Sequence, residues 1–154
     1  RATLADCDWI VDANRQLAAE TENLRLDPEV LTPGVTRVLR GEAEAFYLIA
    51  SDDGRPVGQM MLTREWSDWR NGWFYWIQSV YVVAEARRRG VFRALYQAAV
   101  DQVEREPEAV GLRLYYEEHN HAARDAYLKL GMKAAGYLVL EKTIRRGLSS
   151  LQQT

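Results

Sequence analysis

The chain has 154 residues, 47% of them hydrophobic, which suits one domain with a single sizeable core. A formal net charge of −2 argues against general nucleic-acid binding, which goes with a basic face and a high pI. The one cysteine, Cys7, rules out an internal disulfide and a cysteine-rich metal site, and no apolar run has the length of a membrane span or a secretory signal, so a cytoplasmic protein without membrane or nucleic-acid partners is expected.

Arg1 rather than Met opens the numbering, which leaves room for a short natural start and part of a first strand. Thr3 to Asp6 reads as a capping box, and Trp9, Ile10, Ala13 and Leu17 then form one apolar helical face. Glu20, Glu22 and Asn23 lead into a polar connection. After Asp27-Pro28 a less regular helix is expected to run to Arg40-Gly41, interrupted near Pro33-Gly34. Residues 45–50 and 56–65 read as a hairpin turning at Asp53-Gly54, and 73–83 as a third strand entered through Asn71-Gly72. A helix from Val91 to about Arg105 stops before Pro107, residues 112–116 form a buried strand, Asn120 caps a helix that Gly131 closes, and residues 137–144 give a last strand. Residues 1–144 therefore read as one domain, and 145–154, with no apolar period, as a flexible tail.

This order gives an α/β protein: a mixed sheet with helices on its faces. A right-handed crossover through the Val91 helix sets the 112–116 strand parallel to the 73–83 strand. Ligands in such sheets bind where neighbouring strands diverge at their carboxyl ends.

One stretch sits at that place. The apolar run ending in Val80-Tyr81-Val82-Val83 gives way to Arg87-Arg88-Arg89-Gly90, and a helical pattern on Phe92, Leu95, Tyr96, Ala99 and Val103 begins at once. A helix start offers unpaired N–H groups and the positive end of the macrodipole, Gly90 permits close approach, and the arginines add charge. A phosphate or pyrophosphate fits. The alternative is a solvated basic turn, the commoner fate of a charge run, and the flanking strand and helix weigh against it.

Arg87, Gly90 and Phe92 stand at the fixed places of a signature, Arg or Gln, two residues, Gly, one residue, Gly or Ala, so the stretch resembles the acetyl-coenzyme A loop of the GCN5-related N-acetyltransferases. Phe92 replaces the final small residue. Asn120 to Met132 is similar to that family's Asn, Ala, Tyr, Gly-Phe helix, with Met132 for Phe, and the resemblance spans most of the chain from Ala45 to Ile144. It implies an α+β fold: a mostly antiparallel mixed sheet of about six to seven strands, helices on both faces and a splayed central parallel strand pair. By the same resemblance Arg87, Arg88, Arg89, Gly90, Val91, Phe92 and Arg93 cradle the pyrophosphate of acetyl-CoA, mainly through backbone amides. Val80, Tyr81 and Val82 then lie along the pantetheine arm, with Val80 and Val82 using main-chain atoms. Tyr127 falls near the coenzyme sulfur. Asn120 touches the arm, although its place as an N-cap already explains it.

Transfer to an amine needs the neutral nucleophile, present in about one molecule in two thousand at pH 7 for an alkylamine. Several family members carry a glutamate where this chain has Trp76, which cannot take a proton. Glu65 is the candidate base, with Asp68, Glu20, Glu22 or a water chain through Gln78 as substitutes. Tyr127 is the candidate acid for the departing thiolate, or else an ordinary helix residue packed on the sheet. Trp66, Trp69, Trp73, Tyr75 and Trp76 crowd beside Glu65 and Asp68, which suits a cationic amine or equally a core. His119 and His121 lack a metal-ligand pattern, so no metal is expected, and Cys7 has no visible base. The expectation is an acetyl-CoA-dependent N-acetyltransferase acting by direct attack of a small-molecule primary amine, with a homodimer through an edge strand near the C-terminus. The rival is a non-catalytic acyl-CoA-binding module that kept the loop and lost the base.

Overall fold

Thr3 closes the first turn as its pattern predicts, its N–H donating to Asp6 Oδ2 at 2.7 Å. The computed structural model describes residues 1–142 and 144. After a 3-10 turn at Leu4–Asp6 come helices α1 (Cys7–Glu22) and α2 (Pro28–Leu39), strands β1 (Ala45–Asp52), β2 (Arg55–Ser67) and β3 (Gly72–Val82), a 3-10 turn at Ala84–Ala86, α3 (Val91–Glu104), β4 (Ala109–Leu114) and α4 (His121–Lys129).

The strands lie in the order β1-β2-β3-β4, antiparallel up to β3 and parallel between β3 and β4. Asp53 and Gly54 turn the first hairpin with φ of 47° and 77°, the mirror-image geometry that matches strand twist. Alternation divides the sheet. Leu48, Met60, Leu62, Tyr75 and Ile77 pack on Leu95, Ala99 and Val103 of α3, while Tyr47, Ile49 and Met61 pack on Ile10 of α1 and Val35 of α2. Helices therefore cover both faces.

The pairing of β2 with β3 is irregular at one point. Gln59 faces Tyr81 and Met61 faces Gln78, so β3 carries one extra residue, and Ser79 at that bulge has φ of 48°. The bulge reverses the alternation of β3. Gln78 and Tyr81 consequently share the α1/α2 face, which regular pleating would deny them.

Three expectations are corrected. α2 runs unbroken through Pro33, because Val35, Leu31, Val38 and Leu39 bury against Ile10 and Tyr47 and hold the helix past the missing N–H. The strand expected to be buried at 112–116 lies at Ala109–Leu114 and is only half-buried, with Tyr115 and Tyr116 exposed beyond it. The described residues form a sheet of four strands, not six to seven. Residues 137–142 and 144 form no strand; Tyr137, Leu138, Val139 and Leu140 are exposed, and an apolar run without a hydrogen-bonded neighbour does not hold strand geometry. The expected tail at 145–154 lies outside the described residues. Among the described residues, no helix is long and apolar enough to cross a membrane.

Candidate active site

β4 accompanies β3 only as far as the pair Ile77 and Leu114, after which β3 continues to Val82 with β2 alone beside it. This is the fork that the parallel pair was expected to open. Val83 N–H donates to the Val57 carbonyl at 3.0 Å on the β2 side, so strand alternation turns the main chain of Val80 and Val82 toward the open side. The Val82 carbonyl there accepts from Arg87 Nε at 2.9 Å. Tyr81 points the other way, buried beneath α1 with its hydroxyl donating to Gln16 Oε1 at 2.7 Å and lying 3.3 Å from Glu20 Oε1. Burial, then the charge of Glu20, pushes its phenol pKa up.

The loop from β3 to α3 turns through Arg88 and Gly90, with φ of 61° and 85°. A Cβ on Gly90 would meet nothing within 4 Å, so the backbone there faces open space. α3 starts at Gly90 with no side-chain cap and no acidic residue in its first turn, leaving its first amides and its positive dipole end for an anion. A pyrophosphate fits this arrangement. The four arginines divide in a way their spacing conceals. Arg87 pairs with Glu20 at 2.5 Å and Arg89 with Asp52 at 2.8 Å, whereas among the described residues Arg88 and Arg93 pair with no carboxylate.

Gly58 on β2 seats the start of α3. A Cβ there would lie 2.9 Å from Val91 Cγ1 and 3.2 Å from the Tyr81 carbonyl oxygen, so only glycine lets Val91 come this close. Phe92, the departure from the signature, sends its ring 5.5 Å from that of Tyr127, edge to face, and 6.4 Å from Tyr96. It thus joins α3 to α4. Tyr127 is half-buried there, and burial raises its pKa, keeping the phenol protonated at neutral pH. Asn120 caps α4 as expected, Oδ1 accepting from Ala123 N–H at 3.0 Å.

Glu65 lies on β2 opposite Phe74, back toward the start of β3. Its Oε2 accepts from Trp76 Nε1 at 2.9 Å and its Oε1 from Arg113 at 3.1 Å. Arg113 lies 3.5 Å over Phe74 and Arg64 4.3 Å over Trp73, so the chain's own guanidinium groups cover these aromatic faces. Tyr75 belongs to the core and Trp66 stacks edge-on with Trp73 at 5.0 Å. Of the other substitutes, Asp68 Oδ1 accepts from Trp69 N–H at 2.9 Å, Gln78 donates to Thr63 Oγ1 at 3.0 Å and Glu20 pairs with Arg87, whereas Glu22 is exposed and has no such partner among the described residues.

Sequence reasoning missed a buried polar chain beside the fork. Gln59 Nε2 donates to Asn14 Oδ1 at 2.8 Å and to the Ser79 carbonyl at 3.3 Å, and Asn14 Nδ2 donates to Tyr47 Oη at 3.3 Å. Asn14, Tyr47 and Ser79 line a cleft of about 510 Å³ between α1, α2 and the sheet. The available signal was Asn14, a polar residue on the apolar face that Ile10, Ala13 and Leu17 define.

The family model described as acetyltransferase (GNAT) matches residues 9–132. The chain belongs to the GNAT acetyltransferase family. Acyl transfer from acetyl-CoA is the activity class that goes with it. Among solved structures, a possible acetyltransferase from Clostridium difficile 630 is 41% identical, with 94% of this chain and 95% of that chain covered and a TM-score of 0.87. A predicted acetyltransferase from Clostridium acetobutylicum solved with acetyl-CoA shares the GNAT fold at 17% identity, covering 91% and 92%, with a TM-score of 0.74. A ribosomal-protein-alanine N-acetyltransferase from Brucella melitensis biovar Abortus 2308 does so at 20% identity, covering 95% and 96%, with a TM-score of 0.69. No curated protein matches the chain.

Proposed function

We propose that the protein moves the acetyl group of acetyl-CoA to the nitrogen of a small-molecule primary amine by direct attack in a ternary complex. The observation that carries this reading is the junction of β3 and α3: an open strand edge joined by a short turn to an uncapped helix start at Gly90. Bound acetyl-CoA supplies the activated acetyl thioester. Amides of residues 88–93 hold its pyrophosphate, with Arg88 and Arg93 adding charge, and the peptide groups of Val80 and the Val82 N–H hold the arm. A nitrogen–carbon bond forms, the carbon–sulfur bond breaks, the sulfur takes the proton of Tyr127, and the proton that the attacking nitrogen sheds passes through solvent to restore the Tyr127 phenol. Unperturbed, the transfer to sulfur is uphill by roughly 2 kcal/mol, and burial of Tyr127 adds to it, so the proton moves as the bond breaks. Phe92 keeps the ring in place.

The amine's own proton is the second requirement. Both Glu65 oxygens already accept hydrogen bonds from the chain, and in this reading Glu65 serves to hold Trp76 and Arg113 while the amine enters neutral. The pH profile separates the two roles. With neutral amine entering, kcat/KM climbs about tenfold per pH unit between 6 and 8. A flat profile that Glu65→Gln converts to a climbing one would restore Glu65 as base.

The first experiment is the melting temperature with saturating acetyl-CoA, using ATP as control. At a thousand times Kd the ligand adds about 4 kcal/mol, or about ten degrees. Release of free thiol that depends on added amine then establishes turnover. A coenzyme-specific shift without thiol release from any amine favours the binding-module reading, for which Trp76, an indole that only donates, is the supporting residue. A homodimer is part of the proposal. The outer edge of β4 and the exposed run Tyr137 to Leu140 support it, and sedimentation checks it.

A further inference from the structure

The cleft between α1, α2 and the sheet has an internal logic that specifies a ligand. The Ser79 carbonyl can only accept, so the Gln59 amide must turn its Nε2 there. That same nitrogen lies 2.8 Å from Asn14, which must therefore present Oδ1, and Asn14 then has only its Nδ2 left for Tyr47. Tyr47 Oη consequently accepts, and its own proton is turned away from the chain. Tyr47 is 4% exposed, and burial, the largest influence on it, raises its pKa and keeps that proton in place. Among the described residues no acceptor receives it. Gln59, with no exposed surface, is left with Oε1 unpartnered behind the same floor. A buried donor without a partner is destabilising unless something entering the cleft accepts from it.

The rest of the lining is apolar. Leu17, Leu24, Leu26, Val30, Leu31 and Met61 form most of the wall, and among the described residues Glu22 is its one charged member. Its volume of about 510 Å³ suits a small organic molecule. Ser79 belongs both to this lining and to the stretch of β3 beyond the fork, so an amine standing at the Ser79 end would lie toward the donor side. A polyamine or aminoglycoside would bring several charges to a wall where Glu22 alone could meet them, and would leave most of them without a partner.

We propose that the acceptor is a primary amine borne on an apolar aliphatic or aryl body with one hydrogen-bond-accepting oxygen, which receives the Tyr47 hydroxyl proton. This rests on the acetyl-transfer reading and adds the substrate class to it. Its apolar body fills the leucine and valine wall. Glu22 meets the cationic form at the lip, and the carbonyl or ether oxygen is fixed on Tyr47.

Gly34 makes the proposal testable without harm to the fold. It lies within α2 and lines the cleft, and a Cβ there meets nothing within 4 Å, so Gly34→Leu puts a side chain into the cleft while improving helix propensity. Phenylalaninamide, phenethylamine, glycinamide and spermidine are the probes, each followed by calorimetric binding and by thiol release with acetyl-CoA. Phenylalaninamide should bind at least tenfold more tightly than glycinamide or spermidine. Gly34→Leu should remove that advantage with the melting temperature not lowered and acetyl-CoA affinity unchanged. Tyr47→Phe should bring the ratio of phenylalaninamide to phenethylamine affinity close to one. Tighter binding of spermidine, or indifference to Gly34→Leu, overturns the proposal while leaving acetyl transfer standing. Calorimetric binding with that pattern but no thiol release keeps the apolar-amine site and overturns the acetyl-transfer reading instead.

Discussion

Among single side chains, Tyr127 carries the most specific prediction. Tyr127→Phe keeps the ring that Phe92 packs against and removes only the proton, so kcat should fall by about a hundredfold with acetyl-CoA affinity unchanged, as single-turnover kinetics and calorimetry will show. The arginines give a second. Among the described residues Arg88 pairs with no carboxylate, so Arg88→Ala should weaken acetyl-CoA by about tenfold, measured by calorimetry, and leave the melting temperature alone. Arg87→Ala should act on the loop itself, because Arg87 bonds the Val82 carbonyl and Glu20. The run of arginines is legible as an anion cradle, but the division between paired and unpaired ones is not: that depends on Glu20 and Asp52, which are distant in sequence. The same holds for Glu65, whose engagement with Trp76 and Arg113 needs three strands in register.

At the scale of elements, local pattern reaches far where an element explains itself. The capping box at Thr3, the Asp53-Gly54 turn, the glycine start of α3 and the Asn120 cap are all short-range chemistry, and the sequence displays each of them. Pattern fails where packing overrides it, as when burial carries α2 through Pro33, and where geometry is cumulative, as in the extra residue at Ser79. Gly58 belongs to this second group. Its meaning appears only once Val91 is seen 2.9 Å from where its Cβ would stand. Gly58→Ala should push the first turn of α3 outward. We expect a loss of acetyl-CoA affinity of several-fold together with a stability loss of about 1–3 kcal/mol, read from calorimetry and urea denaturation.

The molecule as a whole should be sensitive to alkali. Tyr47, Tyr75, Tyr81, Tyr96 and Tyr127 all have pKa values raised, with burial the leading cause in each. A phenol whose folded pKa exceeds its unfolded value holds its proton after the unfolded chain has released it. Its contribution is complete below about pH 10 and is lost as pH rises through the folded value. Urea midpoints should therefore be level from pH 7 to 9 and fall steeply above 10. Tyr127→Phe should blunt the fall. The fold class and the fork are legible from element order alone, because a crossover helix leaves one handedness for a parallel pair. The number of strands is not, since an apolar alternation at residues 137–144 becomes a strand only if a neighbour is there to bond it.

The contact between Arg87 and Glu20 also bears on the order of folding events. It joins residues 67 apart in sequence, and Tyr81 adds a bond to Gln16 over a similar span. Hairpins β1–β2 and β2–β3 close over short loops and can form early; the donor loop acquires its shape only after α1 has settled across β3. A chain arrested before that step would have its sheet but no coenzyme site. Amide exchange at residues 87–90 should thus report the opening of α1 rather than that of the strand they follow.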